Sequence, residues 1–171
     1  MEAAEVARQI VECCRQLWRG GLIAGADGNV SVRYRPGRLL VTPRGLPKAD
    51  LQPGDVVEVD LEGRHLGGCR QATTELDLHT RVYRCRSDCG AVVHAHPPLA
   101  TAFAVAGEGI PDDVLPEITL LLGPVPVVPY ATPGTPASRS LGRVTRLTRE
   151  QIDDLERLRG TSRHGQSDLG Y

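Results

Sequence analysis

Apolar residues recur at Val6, Ile10, Val11, Cys14 and Leu17, with Glu5, Arg8, Glu12 and Arg15 between them. That spacing predicts an amphipathic helix over residues 3–18, ended by Gly20-Gly21. Beyond the Gly-rich stretch "GADGN" the period falls to two, and Val30–Tyr34 reads as a strand. "GRLLVTPRG" reads as a second strand closed by a Pro/Gly turn, and "DVVEVDLEGRHLGG" as a hairpin. "TTELDLHTRVYRCR" returns to helical spacing, with a Thr as its cap and Leu78, Val82 and Tyr83 turned inward. "GAVVHAH" is a short buried strand, "PLATAFAVAG" a helix of small residues, and "VPVVPYATPGTP" a strand with a turn. The last helix is "LTREQIDDLERLR", with Thr148 and Gln151 as a capping box and Leu147 stapled onto Ile152. The polar tail, residues 160–171, has too little apolar surface to fold. Strands interleaved with helices on a hairpin-rich sheet predict an α/β or α+β domain.

The 171 residues suit a single domain, expected over residues 1–159. A net charge of −1 gives no reason to expect nucleic acid or a membrane as partner. The N-terminus is charged and amphipathic, which excludes a secretory signal, and no apolar run approaches the roughly 20 residues of a bilayer span. Five cysteines, an odd number without a framework, favour reduced thiols and a cytoplasmic setting.

The chemistry concentrates in a few places. His94 and His96 stand two residues apart at the end of a strand, where side chains i and i+2 share a face. They are either two ligands of one ion or two hydrogen-bonded polar residues. A catalytic zinc takes three protein ligands and an open position, so the pair alone is insufficient. Cys85 and Cys89 offer a rival completion as a closed Cys₂His₂ site, although their spacing departs from the usual pattern. Glu75 follows Thr73-Thr74 at a helix start. There it is either an acidic first turn behind an ordinary cap, or a general acid/base beside an anion site built of hydroxyl and backbone N–H groups. "GADGN" and "TPRG" add backbone donors, and Arg44 would add a charge if it pointed inward.

Taken in order, "AGADGNVSVR", "LLVTPRGLP", "TTELDLHTRVYR", "AVVHAHPP" and "VPVVPYATPGT" resemble the class II aldolase/adducin family. The likeness runs nearly continuously from residue 4 to residue 137. It implies a three-layer α/β/α sandwich around a mixed, largely antiparallel sheet, assembled as a homotetramer with active sites between subunits. It implies that His94 and His96 bind zinc with Glu75 as a further metal ligand, that Glu75 also moves the proton, and that Asn29, Gly45, Thr73 and Thr74 hold the substrate phosphate. Glu rather than Asp at position 75 looks more like the aldolases than the pentulose-phosphate 4-epimerases. The implied reaction is metal-assisted retro-aldol cleavage of a ketose 1-phosphate, fuculose 1-phosphate-like, to dihydroxyacetone phosphate and an aldehyde. A related phosphosugar dehydratase or epimerase, and a non-catalytic module like the adducin head, are the alternatives.

Two departures from the family pattern matter. The "N-H-G" or "H-H-G" motif that carries the family's third zinc histidine is missing, and the text changes abruptly near Ala137–Arg139. An internal deletion, an omission of residues from the sequence, and divergence would each produce that seam. His79 is expected to orient or pack rather than ligate, His65 to be exposed, and His164 lies in the tail. The stretch "LPEITLLLG" also lacks the Tyr that the family's aldolases use as leaving-group acid, and nearby Glu117 is not an evident replacement.

Overall fold

The computed structural model describes residues 2–111 together with Val125 and Val127. The strand and turn after Pro126, the last helix, the seam and the tail expected above lie outside the described residues. The chain divides into two compact units, one formed by residues 1–102 and 129–144, the other by 103–128 and 145–171.

The first unit opens with α1, Ala3–Arg19, whose buried positions Val6, Ala7, Ile10, Val11 and Cys14 form one stripe. The helix stops where expected, because Gly21 takes a left-handed φ of 66° and the Leu22 N–H closes onto the Leu17 carbonyl at 2.9 Å. Five strands follow: β1 (Asn29–Arg35), β2 (Arg38–Val41), β3 (Val57–Asp60), β4 (His65–Gly67) and β5 (Ala91–His94). Their order is β4-β3-β2-β1-β5, and every pairing among them is antiparallel. Helix α2, Leu76–Cys85, enters between β4 and β5, and α3, Pro98–Ala106, follows β5.

Alternation along the strands sorts the core into two groups. Val30 and Leu40 pack with Val6, Ile10, Val11 and Cys14 of α1. Leu39, Val41, Val57 and Val59, the intervening positions, pack with Tyr83 of α2. Burying each Val, Leu or Ile stabilises by about 1.5–3 kcal/mol before the entropy of ordering is charged against it. Together these elements give an α/β fold.

Three local expectations are corrected. Glu75, not a threonine, occupies the cap position of α2, and no side chain caps that helix. Thr73 contributes instead as acceptor, its Oγ1 taking the Glu75 N–H at 3.3 Å. The inward residues of α2 are His79, Thr80 and Tyr83, while Leu78 and Val82 are only half-buried. Strand β5 lies at the edge of the described sheet with Ala91 and Val93 exposed, so it is not buried.

Candidate functional site

The site forms where the start of β1, the loop after β2, the approach to α2 and the end of β5 meet. Antiparallel pairing sets Asn29 opposite His94. An isolated bridge joins Pro43 to Ala72, and the Thr73 N–H donates to the Thr42 carbonyl at 3.1 Å. These links bring "TPRG" against "TTE". The resulting pocket, about 400 Å³, is lined by Gly28 and Asn29 from one Gly loop and Arg44 and Gly45 from the other, with Thr73, Thr74, Glu75 and His96 completing it.

Its floor contains a residue that the sequence did not point to. Lys48 is 1% exposed, and its Nζ donates to the carbonyls of Ala26 at 2.8 Å and Leu46 at 3.0 Å. Its own N–H bonds the Gly25 carbonyl at 3.0 Å, so this one residue fastens the two Gly loops together. Burial pushes the ammonium pKa below its usual value, with Cys14 and Asp27 partly opposing that shift. In sequence, Lys48 stands in the polar run "LPKAD" and reads as solvated; only its place between two glycine turns hints otherwise.

The structure brings the two site histidines together. His94 ends β5 and His96 lies just beyond it, held by its backbone N–H on the Leu22 carbonyl at 2.9 Å. Their Nε2 atoms are 3.0 Å apart, with ring centroids at 4.9 Å and planes at 66°. Two imidazole nitrogens on one tetrahedral zinc stand roughly 3.3 Å apart at the usual bond lengths, so the pair fits two positions of a divalent ion. Glu75 reaches the other side of the same ring, its Oε2 in close contact with His94 Nδ1. Nδ1 is buried and has no hydrogen-bond partner among the described residues. Among the described residues no group of three or more His, Cys, Asp or Glu side chains is arranged to hold a metal. The Cys₂His₂ alternative is therefore overturned: Cys85 is exposed, and the Cys89 thiol bonds the Ala91 carbonyl at 3.1 Å. All five cysteines are free.

Behind Glu75 lies a buried polar chain. Asn29 Nδ2 donates to Glu75 Oε2 at 2.7 Å, and Asn29 Oδ1 meets His79 Nε2. His79 Nδ1 lies 2.6 Å from Ser31 Oγ, which lies 2.9 Å from the Tyr83 hydroxyl. Burial is the main reason the His79 pKa falls to about 4, with His94 adding to the shift and Glu75 opposing it. As expected, His79 packs in the interior, and His65 is exposed. Asn29 thus engages Glu75 and His79 as well as lining the pocket.

Residues 8–154 match the family described as Class II Aldolase and Adducin N-terminal domain. The L-fuculose phosphate aldolase of Escherichia coli strain K12 is 38% identical over 135 residues, covering 79% of this chain and 62% of that protein. A 5-methylthioribulose-1-phosphate/5-deoxyribulose-1-phosphate aldolase of Rhodospirillum rubrum is 43% identical over 102 residues, 60% of this chain and 45% of that one. The chain therefore spans less than two thirds of the length of these relatives. Among solved structures, l-fuculose-1-phosphate aldolase from Thermus thermophilus superposes with a TM-score of 0.61 at 35% identity, covering 72% of this chain and 60% of that one. With the family match extending over most of its length, the chain belongs to the class II aldolase and adducin family.

Proposed function

We propose that this chain acts as a metal-dependent sugar-phosphate aldolase, splitting a ketose 1-phosphate into dihydroxyacetone phosphate and an aldehyde. The observation that carries this reading is a pocket lined by two glycine turns, Thr73 and Thr74, the carboxylates of Asp27 and Glu75, the cations Arg44 and Lys48, and the His96 imidazole. The aldolase relatives, which are named for fuculose and ribulose phosphates, support the substrate class.

The phosphate would sit against Gly45, Thr73, Thr74 and Asn29, at the approach to α2 where backbone N–H groups favour an anion. Lys48 beneath the loops provides the positive potential there. His94 and His96 would hold a divalent ion such as Zn²⁺ between their Nε2 atoms, and Glu75 would have to turn away from His94 Nδ1 to join them as a further donor. When bound, such an ion supplies Lewis-acid polarisation of the substrate carbonyl. Glu75 Oε2, fixed by the Asn29 amide, would take and return the proton on the dihydroxyacetone-phosphate side. Completion of the three-layer α/β/α sandwich, assembly as a homotetramer and a cytoplasmic location belong to the same proposal.

The direct test is elemental analysis of purified protein, followed by aldehyde release from fuculose 1-phosphate and 5-deoxyribulose 1-phosphate. Retained or loadable metal with turnover on one of them is the expected result. Failure to bind any divalent ion would sink the reading. The missing third-histidine motif favours a second reading, a non-catalytic oligomerisation module, which predicts stable assembly with neither metal nor turnover.

A further inference from the structure

We infer that His79 is a positioning residue for the proposed reaction: as the neutral Nε2–H tautomer it fixes the Asn29 amide, and thereby aims the Glu75 carboxylate. The inference rests on the reading of Glu75 as the proton-handling group.

The assignment follows from what each atom can donate. A carboxylate accepts only, so the Asn29 atom facing Glu75 Oε2 at 2.7 Å has to be the amide nitrogen. The amide oxygen then faces His79, and an oxygen there requires an N–H on His79 Nε2. A neutral ring carries one proton, so Nδ1 accepts, and its partner at 2.6 Å is the Ser31 hydroxyl. With its proton given to His79, Ser31 Oγ can only accept from Tyr83, whose single hydroxyl proton is then shared between Ser31 Oγ and the Ser31 carbonyl, each 2.9 Å away. Every donor has an acceptor in this direction. Reversal puts the amide oxygen against the carboxylate and a bare Nε2 against the amide nitrogen, and it loses the bond that holds Glu75.

The setting makes this polarity costly to change. Ser31 and His79 are 0% exposed, Tyr83 is 2% exposed and Asn29 is 6% exposed, so water cannot replace a lost partner. Glu75, by contrast, opens onto the pocket, with a side chain 24% exposed. A carboxylate at the mouth of a site has several accessible rotamers, and Asn29 selects one of them. His79 lies behind the pocket and is not among its lining residues, and its side chain reaches the Glu75 carboxylate through Asn29. Its depressed pKa, caused mainly by burial, agrees with the neutral ring.

Two measurements test the inference. Long-range proton–nitrogen correlation spectra of the wild-type imidazoles at pH 7 should show His79 as neutral and protonated at Nε2. A charged ring or an Nδ1–H tautomer overturns the inference whatever the activity, so it can fail independently of the aldolase reading. Kinetics then compare His79→Gln, whose amide N–H reaches the Nε2 position, with His79→Asn, whose shorter side chain meets Ser31 and leaves Asn29 without its donor. His79→Asn should lower kcat at least 10-fold while KM for the ketose 1-phosphate changes less than threefold, and His79→Gln should recover most of that loss. Equal kcat in both variants, or a fall confined to KM, overturns it. If neither variant folds, the wild-type spectrum decides the matter. Wild-type protein without turnover defeats the functional proposal but leaves the tautomer assignment to stand or fall on that spectrum.

Discussion

Gly28 packs so closely against the end of β5 that an added Cβ would stand 2.9 Å from the His94 carbonyl oxygen and 2.6 Å from Ile23 Cγ2. Both contacts are shorter than real Cβ atoms tolerate, and Gly28 also has a φ of 70°. Replacement by alanine forces apart the loop before β1 and the strand end that carries the site imidazole. Gly28→Ala should cost about 3 kcal/mol through strain and overpacking, read as a lower urea midpoint with an unchanged m-value.

Glu75→Gln isolates charge from shape. The glutamine oxygen can still accept the Asn29 N–H, so the buried chain behind it survives. What is lost is a carboxylate able to carry a proton. Thermal stability should stay within about 1 kcal/mol of wild type, while kcat falls by roughly 10² to 10⁴. Metal content measured on the same samples should be retained. A variant that keeps wild-type kcat would remove Glu75 from the mechanism.

Comparison of pattern with structure explains what could be foreseen here. Helix α1, the strands and the hairpin were legible because each buries one face, and burial imposes a period that composition displays. Thr73, Thr74 and Glu75 were legible as a group because they adjoin in sequence. Lys48 was not, because nothing local distinguishes a lysine sealed under two turns from one in water; its burial depends on Ala26 and Leu46 folding over it. The role of His79 was legible only in outline, since its partners Ser31 and Asn29 lie 48 and 50 positions away. The capping of α2 was misread because Thr74 and Thr73 sit one and two residues too early to cap a helix that begins at Leu76.

Lys48→Met separates the two roles of that side chain. Methionine fills similar space but leaves the Ala26 and Leu46 carbonyls without their donor, a loss of about 1–3 kcal/mol for each buried acceptor, offset by no longer burying an ammonium. The net should be about 2 kcal/mol of destabilisation. The pocket also loses its buried positive charge, so inorganic phosphate, assayed as a competitive inhibitor, should bind at least 10-fold more weakly. Lys48→Arg keeps the charge with an altered shape and should fall between the two. Unchanged phosphate inhibition in the methionine variant would show that Lys48 only fastens the loops.

The depressed pKa of His79 ties stability to pH with a definite sign. Its folded value, about 4, lies below the ordinary 6.5, so between those limits the unfolded chain binds more protons than the folded one. Stability is therefore fully present above about pH 6.5, falls as pH drops towards 4, and loses nothing further from this group below that. The full span corresponds to about 3 kcal/mol at 1.36 kcal/mol per unit. The groups facing His79 do not reverse the sign. Glu75 opposes the shift and His94 reinforces it, while Ser31 is uncharged and Tyr83, its own pKa pushed up to about 12, stays neutral throughout. Urea unfolding at pH 7.0, 5.5 and 4.5 should give a declining series for wild type. In His79→Gln the decline should be shallower by the His79 share, because glutamine does not titrate. Parallel slopes in the two proteins would mean that the folded core accepts a proton at His79 as readily as the unfolded chain does, and the buried polar chain would then need a different donor order.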